Sequence, residues 1–284
     1  MMAELVSSNK SFGGRQLKYK HDSEVLACEM VFSLYLPANP EKKKIPLIWW
    51  LSGLTCTDDN FTQKSGFQQW AAKYNTAVVM PDTSPRGEMV ADDEGYDLGK
   101  GAGFYLDATQ EPWAAHYQMY TYLTQELPAV VQALVPDFSG VESIMGHSMG
   151  GHGAITIGLK NQSRFKAISA FSPILTPSAS PWGIKAFTSY LGEDKSAWAQ
   201  YDATELIKQD AILPMLITQG TGDNFYPGQL DGAAFLEAAA KHGEKVAYQL
   251  AEGYDHSYFF IATFLEAHFA FHDQCCTRKP LVQP

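Results

Sequence analysis

The apolar and polar positions of this chain change period repeatedly, and each change marks an element. Residues 14–36 are rich in β-formers, first over residues 17–20 and then over 25–36, where Pro37 ends the run; this predicts an antiparallel start. Beyond Pro40 the pattern shifts to short continuous apolar runs. Residues 45–51 read as a buried strand closed by Ser52-Gly53, and residues 77–80 as another closed by Pro81-Asp82, with helical spacing over 61–73 between them. Four more strands are predicted at 141–145, 165–171, 213–218 and 246–250. They alternate with helices at 117–134 (kinked at Pro128), 150–159, 230–242 and 258–271. Strands and helices alternating at this spacing predict an α/β fold, with a mostly parallel central sheet covered by helices on both faces.

Two segments fall outside the alternation. Residues 82–113 are rich in Gly, Asp and Pro and read as a long surface loop, the kind of irregular stretch that often carries function. Residues 172–212 read as an excursion from the sheet, too short to hold a core of their own. The expectation is a single domain over 1–284, with residues 273–284 as a tail.

Composition narrows the function classes. The formal net charge of -10 opposes a phosphate backbone, so no nucleic acid partner is expected. Lys42-Lys43-Lys44, between Pro40 and Pro46, reads as a solvated turn. Residues 1–15 lack the apolar core of a signal peptide, and no apolar run approaches the ~18 residues of a membrane span. The four cysteines, Cys28, Cys56, Cys275 and Cys276, have the spacing of neither a zinc site nor a disulfide framework. No metal or other cofactor is therefore expected, and the setting is expected to be reducing and cytoplasmic.

The sharpest local signal is Gly146-His147-Ser148-Met149-Gly150, a G-x-S-x-G string where a predicted strand meets a predicted helix. Small neighbours permit the tight turn that lifts a serine hydroxyl above the sheet. The helix N-terminus behind it offers backbone N–H groups to an oxyanion. A serine hydroxyl needs a base, and the base needs an orienting acid, in the chain order Ser, Asp or Glu, His. Asp223 follows the predicted strand 213–218, and His256 follows the predicted strand 246–250. Both would lie at carboxyl ends of strands, where open α/β sheets bind ligands. The competitors fit less well. His147 adjoins Ser148 and is expected to point elsewhere on the elbow. His152 and His242 belong to helices. His268 and His272 lie late in the last helix, and Asp210 precedes its strand instead of following it. A second oxyanion donor is expected from the loop after the strand at 45–51, with the Leu54 N–H paired with the Met149 N–H. Cys56, two residues on, is either a small packing residue or a redox-sensitive thiol beside the site. Trp182 is a candidate wall of the substrate pocket or a packing residue.

Longer stretches carry a resemblance. LSGLTCTDDNF (51–61), MPDTSPRG (80–87), GAGFYLDATQEPW (101–113), SIMGHSMGGHGA (143–154), SPWG (180–183), GTGDNF (220–225) and GYDHSYFFI (253–261) together resemble the S-formylglutathione hydrolases, the esterase D family. The resemblance spans about residues 45–265. It implies an α/β-hydrolase fold and a cytosolic serine thioesterase. The substrate would be S-formylglutathione, hydrolysed to formate and glutathione in formaldehyde detoxification. It implies Ser148, Asp223 and His256 as the triad, the Leu54 and Met149 amides as the oxyanion hole, and a homodimer. Three other activities stay open: a short-chain carboxylesterase, an acyltransferase, and a non-catalytic protein that kept the fold. Glutathione is anionic, so local cations would have to attract it against the net charge; Lys100, Arg86 and Lys185 are the candidates.

Overall fold

The computed structural model describes residues 3–277. Nine strands form one sheet: β1 (Glu4–Ser11), β2 (Gly14–Ser23), β3 (Cys28–Leu36), β4 (Ile45–Leu51), β5 (Ala77–Pro81), β6 (Phe138–His147), β7 (Phe165–Phe171), β8 (Met215–Gly220) and β9 (Val246–Ala251). Their spatial order is β1-β2-β3-β5-β4-β6-β7-β8-β9. The pairings from β1 to β5 through β2 and β3 are antiparallel, and every pairing from β5 through β4 to β9 is parallel. This is the α/β-hydrolase fold with its antiparallel start.

The continuous apolar runs exist because the parallel strands are buried on both faces. Successive residues alternate between two cores. Leu47, Trp49, Val79, Ile144 and Ala170 face one, whereas Ile48, Trp50, Val78, Met145 and Phe171 face the other. The helix Met149–Lys160 lies in the first layer. The helices Asp58–Lys64, Gln68–Lys73 and Tyr258–Thr277 cover the second, where Phe61, Phe67, Phe260, Leu265 and Phe269 pack. The buried carboxylate of Glu142 in the first layer is paired. Glu142 accepts from Arg164 Nη2 at 2.7 Å and from the Trp49 indole at 2.6 Å.

Three expectations are corrected, and one strand was not foreseen. Residues 1–15 hold a strand, β1, which pairs with β2 through a turn at Phe12-Gly13; its side chains are almost all exposed, so no apolar pattern betrays it. The helix expected over 61–73 is two helices, interrupted at Ser65-Gly66, with Thr57 and Asn60 forming a capping box at the first. The helix expected over 117–134 begins at Met119, passes through a π-helical turn at Tyr122–Glu126 and resumes at Leu127–Leu134. Pro128 supplies the reason: it has no N–H to donate, and its ring displaces the carbonyl one turn back. Asp273–Thr277, expected as tail, continues the last helix; the rest of the expected tail lies outside the described residues. Among the described residues no helix is long and apolar enough to cross a membrane. The excursion over 172–212 carries the helix Pro181–Leu191 and three shorter helical turns.

The sheet order sets where a site can form. From β4 the chain goes outward to β5 and then returns to β6 on the other side of β4. The loops leaving β4 and β6 therefore diverge and leave a crevice at the carboxyl end of the sheet.

Candidate active site

β6 runs into the helix Met149–Lys160 with Ser148 as the single joining residue. Its backbone has φ 59° and ψ −121°, a left-handed-side conformation that costs about 1–3 kcal/mol for a non-glycine residue. Hydrogen bonds to neighbouring backbone hold it there. The Ser148 N–H donates to the Phe171 carbonyl at 2.9 Å, and its own carbonyl accepts the His152 N–H at 3.0 Å. The flanking glycines are required sterically. A Cβ on Gly146 would stand 2.1 Å from the Gly150 oxygen, and one on Gly150 would stand 2.0 Å from the Leu51 oxygen. Among the described residues no hydrogen bond occupies the Ser148 hydroxyl.

Asp223 lies in the loop after β8, and His256 lies after β9, just before the last helix. The structure brings them together: His256 Nδ1 is 2.5 Å from Asp223 Oδ2. A carboxylate can only accept, so the ring donates from Nδ1 and its Nε2 is left as an acceptor. The second Asp223 oxygen accepts the Phe225 N–H at 2.9 Å. Burial works against the charge on Asp223, but the His256 ring and the Phe225 amide outweigh it and hold the carboxyl below its ordinary value.

Ser148 and His256 line one cavity of about 310 Å³, together with Leu54, Cys56 and Trp182. The residues expected as triad, oxyanion hole and pocket wall thus meet there, except Asp223, which pairs with His256, and Met149, which follows Ser148 directly. The Met149 N–H opens its helix and the Leu54 N–H has no acceptor among the described residues, so both amides are open. The loop carrying Leu54 is fixed by its neighbours. Thr55, at φ 66°, donates its N–H to the Gly101 carbonyl at 2.9 Å. The Cys56 carbonyl accepts from Thr83 Oγ1 at 2.5 Å and from Arg86 Nη2 at 3.2 Å. The irregular stretch after β5 thus braces the loop that bears one of the two open amides.

His147 corrects an expectation. Its buried ring lies 4.3 Å, centroid to centroid, from the His256 ring. Burial, and then the neighbouring His256, push its pKa well below the ordinary value, so it is a neutral wall behind that ring. Phe225 meets His256 edge-on, with ring centroids 5.0 Å apart. Trp182 donates from its indole to the Tyr96 hydroxyl at 3.0 Å and packs on Phe225, which makes it a wall of the cavity as well as a packing residue. Burial pushes the Cys56 thiol up, and the Tyr258 hydroxyl lies against it.

The three cations picked from the sequence are engaged elsewhere. Arg86 pairs with Asp82 at 2.8 Å, Lys100 with Asp92 at 3.7 Å, and Lys185 with Asp97 at 2.5 Å. None of them lines the cavity; Lys64, not singled out from the sequence, does. The missed residues Phe225 and Tyr258 each lie two positions beyond Asp223 and His256, a proximity that could have flagged them. Among the described residues no group of three or more His, Cys, Asp and Glu is placed to hold a metal ion.

Residues 23–271 match the model of the Esterase family. The chain belongs to the esterase family. Among solved structures, this esterase is similar to the S-formylglutathione hydrolase from Agrobacterium tumefaciens. The two share 45% identity at a TM-score of 0.91, over 97% of this chain and 100% of that one. The esterase is also similar to FphF, a fluorophosphonate-binding serine hydrolase from Staphylococcus aureus (18% identity, TM-score 0.73, 92% and 98% of the two chains). A third match is a CE1 ferulic acid esterase from Anaeromyces mucronatus (18%, TM-score 0.64, 94% and 93%). At such identities these two share the fold alone.

Proposed function

We propose that this esterase is a serine thioesterase that hydrolyses S-formylglutathione to formate and glutathione, a step of formaldehyde detoxification. The observation that carries the reading is the 2.5 Å pairing of Asp223 with His256 beside a serine held on a strained elbow. The 45% identity with the Agrobacterium enzyme supports the choice of substrate.

The chemistry follows from the parts. His256 Nε2 takes the Ser148 proton as the hydroxyl attacks the formyl carbon. Asp223 holds the ring in the tautomer that leaves Nε2 free and stabilises the imidazolium. The Leu54 and Met149 amides receive the oxyanion, each donor contributing about 3 kcal/mol to lowering the barrier. The C–S bond breaks, the glutathione thiolate leaves, and the proton on His256 passes to it. Water then attacks the formyl ester of Ser148 by the same route, releasing formate. The residue set calls for no metal or cofactor. The family resemblance is what supports a cytoplasmic location and a homodimer.

The test compares kcat/KM for S-formylglutathione with that for p-nitrophenyl acetate, alongside Ser148→Ala. The thioester is expected to exceed the ester, and Ser148→Ala to lose both activities and fluorophosphonate labelling while staying folded. A higher kcat/KM for the ester would move the reading to a short-chain carboxylesterase.

A further inference from the structure

A substrate whose leaving group is an anionic peptide needs a cation near the cavity mouth. Lys64 closes the helix Asp58–Lys64 and lies one turn beyond Asn60, which lines the same cavity. It is the one lysine or arginine among the residues lining that cavity. Its side chain is exposed, and its ammonium stands 5.8 Å from the centroid of the Tyr258 ring, another wall residue. Among the described residues no carboxylate pairs with it. This sets it apart from Arg86, Lys100 and Lys185, each already neutralised by an aspartate.

The surrounding charge gives the approach a direction. Tyr96 also lines the cavity, and it sits within an acidic stretch containing Asp92, Asp93, Glu94 and Asp97. Lys100 and Lys185 pair with Asp92, Asp93 and Asp97, but two cations against four carboxylates leave the stretch net negative, with Glu94 unpaired among the described residues. A carboxylate is repelled near Tyr96 and attracted at Lys64, so the two positions discriminate between the ends of a zwitterionic ligand.

We infer that Lys64 is an anion subsite that binds a carboxylate of the departing thiol peptide and selects glutathione thioesters over neutral ones. The inference rests on the thioesterase reading and assigns the residue that confers leaving-group specificity. No covalent bond is made or broken at the ammonium. It acts on substrate affinity, not on the acyl-transfer step, so its contribution falls in KM.

The experiment uses S-formylglutathione and the formyl thioester of N-acetylcysteamine, a neutral thiol, with wild type, Lys64→Met and Lys64→Arg. The quantity read is the ratio of the two kcat/KM values. In Lys64→Met the ratio is expected to fall about three- to tenfold, the range for one partly exposed ion pair, through a higher KM for the glutathione thioester. Lys64→Arg is expected to retain most of it. Raising salt should lower the wild-type ratio and leave the Lys64→Met ratio flat. A Lys64→Met ratio equal to wild type overturns the subsite alone. A wild type with no preference for the glutathione thioester overturns the substrate reading beneath it, and that result is visible before any variant is made.

Discussion

Acid should unfold this protein through histidines that play no part in its chemistry, and His272 allows the effect to be worked out. It projects from the last helix into the sheet, is 1% exposed, and its Nε2 is 2.8 Å from Ser169 Oγ. Its Nδ1 is buried with no partner. Burial therefore pushes its pKa down to about 3, whereas an unfolded histidine titrates near 6.5. Below about pH 6.5 the unfolded chain binds a proton that the native ring refuses. The stability held by the neutral ring is intact above pH 6.5 and is lost progressively as pH falls toward 3. At about 1.4 kcal/mol per pH unit, His272 alone accounts for a loss of about 2 kcal/mol between pH 7 and pH 5. The comparison is urea unfolding of wild type and His272→Gln at both pH values. Glutamine keeps a polar contact to Ser169 but cannot titrate. The loss of unfolding free energy from pH 7 to pH 5 should be about 2 kcal/mol smaller in the variant, whatever its stability at pH 7. Equal losses in the two proteins would refute a neutral, buried His272. His152, wholly buried and pushed down to about 4, should add a loss of similar size in both proteins.

Two further outcomes test the site. Asp223→Asn should reduce kcat roughly 10³–10⁴-fold with little change in unfolding temperature, because asparagine can present its N–H to Nδ1 and force the wrong tautomer; a loss below tenfold would remove Asp223 from its role. Alkylation of Cys56 by iodoacetamide should be slow at pH 7 and accelerate toward alkaline pH, since burial pushes its thiol up, and the modified enzyme should no longer take fluorophosphonate at Ser148; equal peroxide inhibition of wild type and Cys56→Ser would rule the thiol out as a redox switch.

What could be read from the sequence follows burial. Strands β4 to β8 announce themselves because alternate residues such as Trp49 and Trp50 enter opposite cores, so nearly every position must be apolar. β1 has no such duty; its side chains face solvent, and only backbone pairing with β2 defines it. Asp223 and His256 stood out as chemistry-bearing residues just past strand ends, a place fixed by topology. His147 could not be placed that way. In a regular strand it would face away from its neighbour, but the positive φ at Ser148 redirects the chain and leaves both side chains on one cavity. The substrate-facing cation was hidden for another reason. Whether a lysine is paired depends on carboxylates far away in sequence, as with Lys185 and Asp97, and no local pattern encodes that.

The order in which the site's pieces occur along the chain also governs its safety during synthesis. The elbow serine and both open amides are complete by residue 149, whereas the acid waits for β8 and the base for the loop beyond β9. A nascent chain on the ribosome therefore carries its serine without a base for more than a third of its elongation. The last helix follows directly on His256 and packs against β6, β7 and β8, so seating the base and closing the core are one late event. Reactivity is switched on by completion of the fold, and a truncated product lacking this helix would be chemically silent, not an unregulated hydrolase.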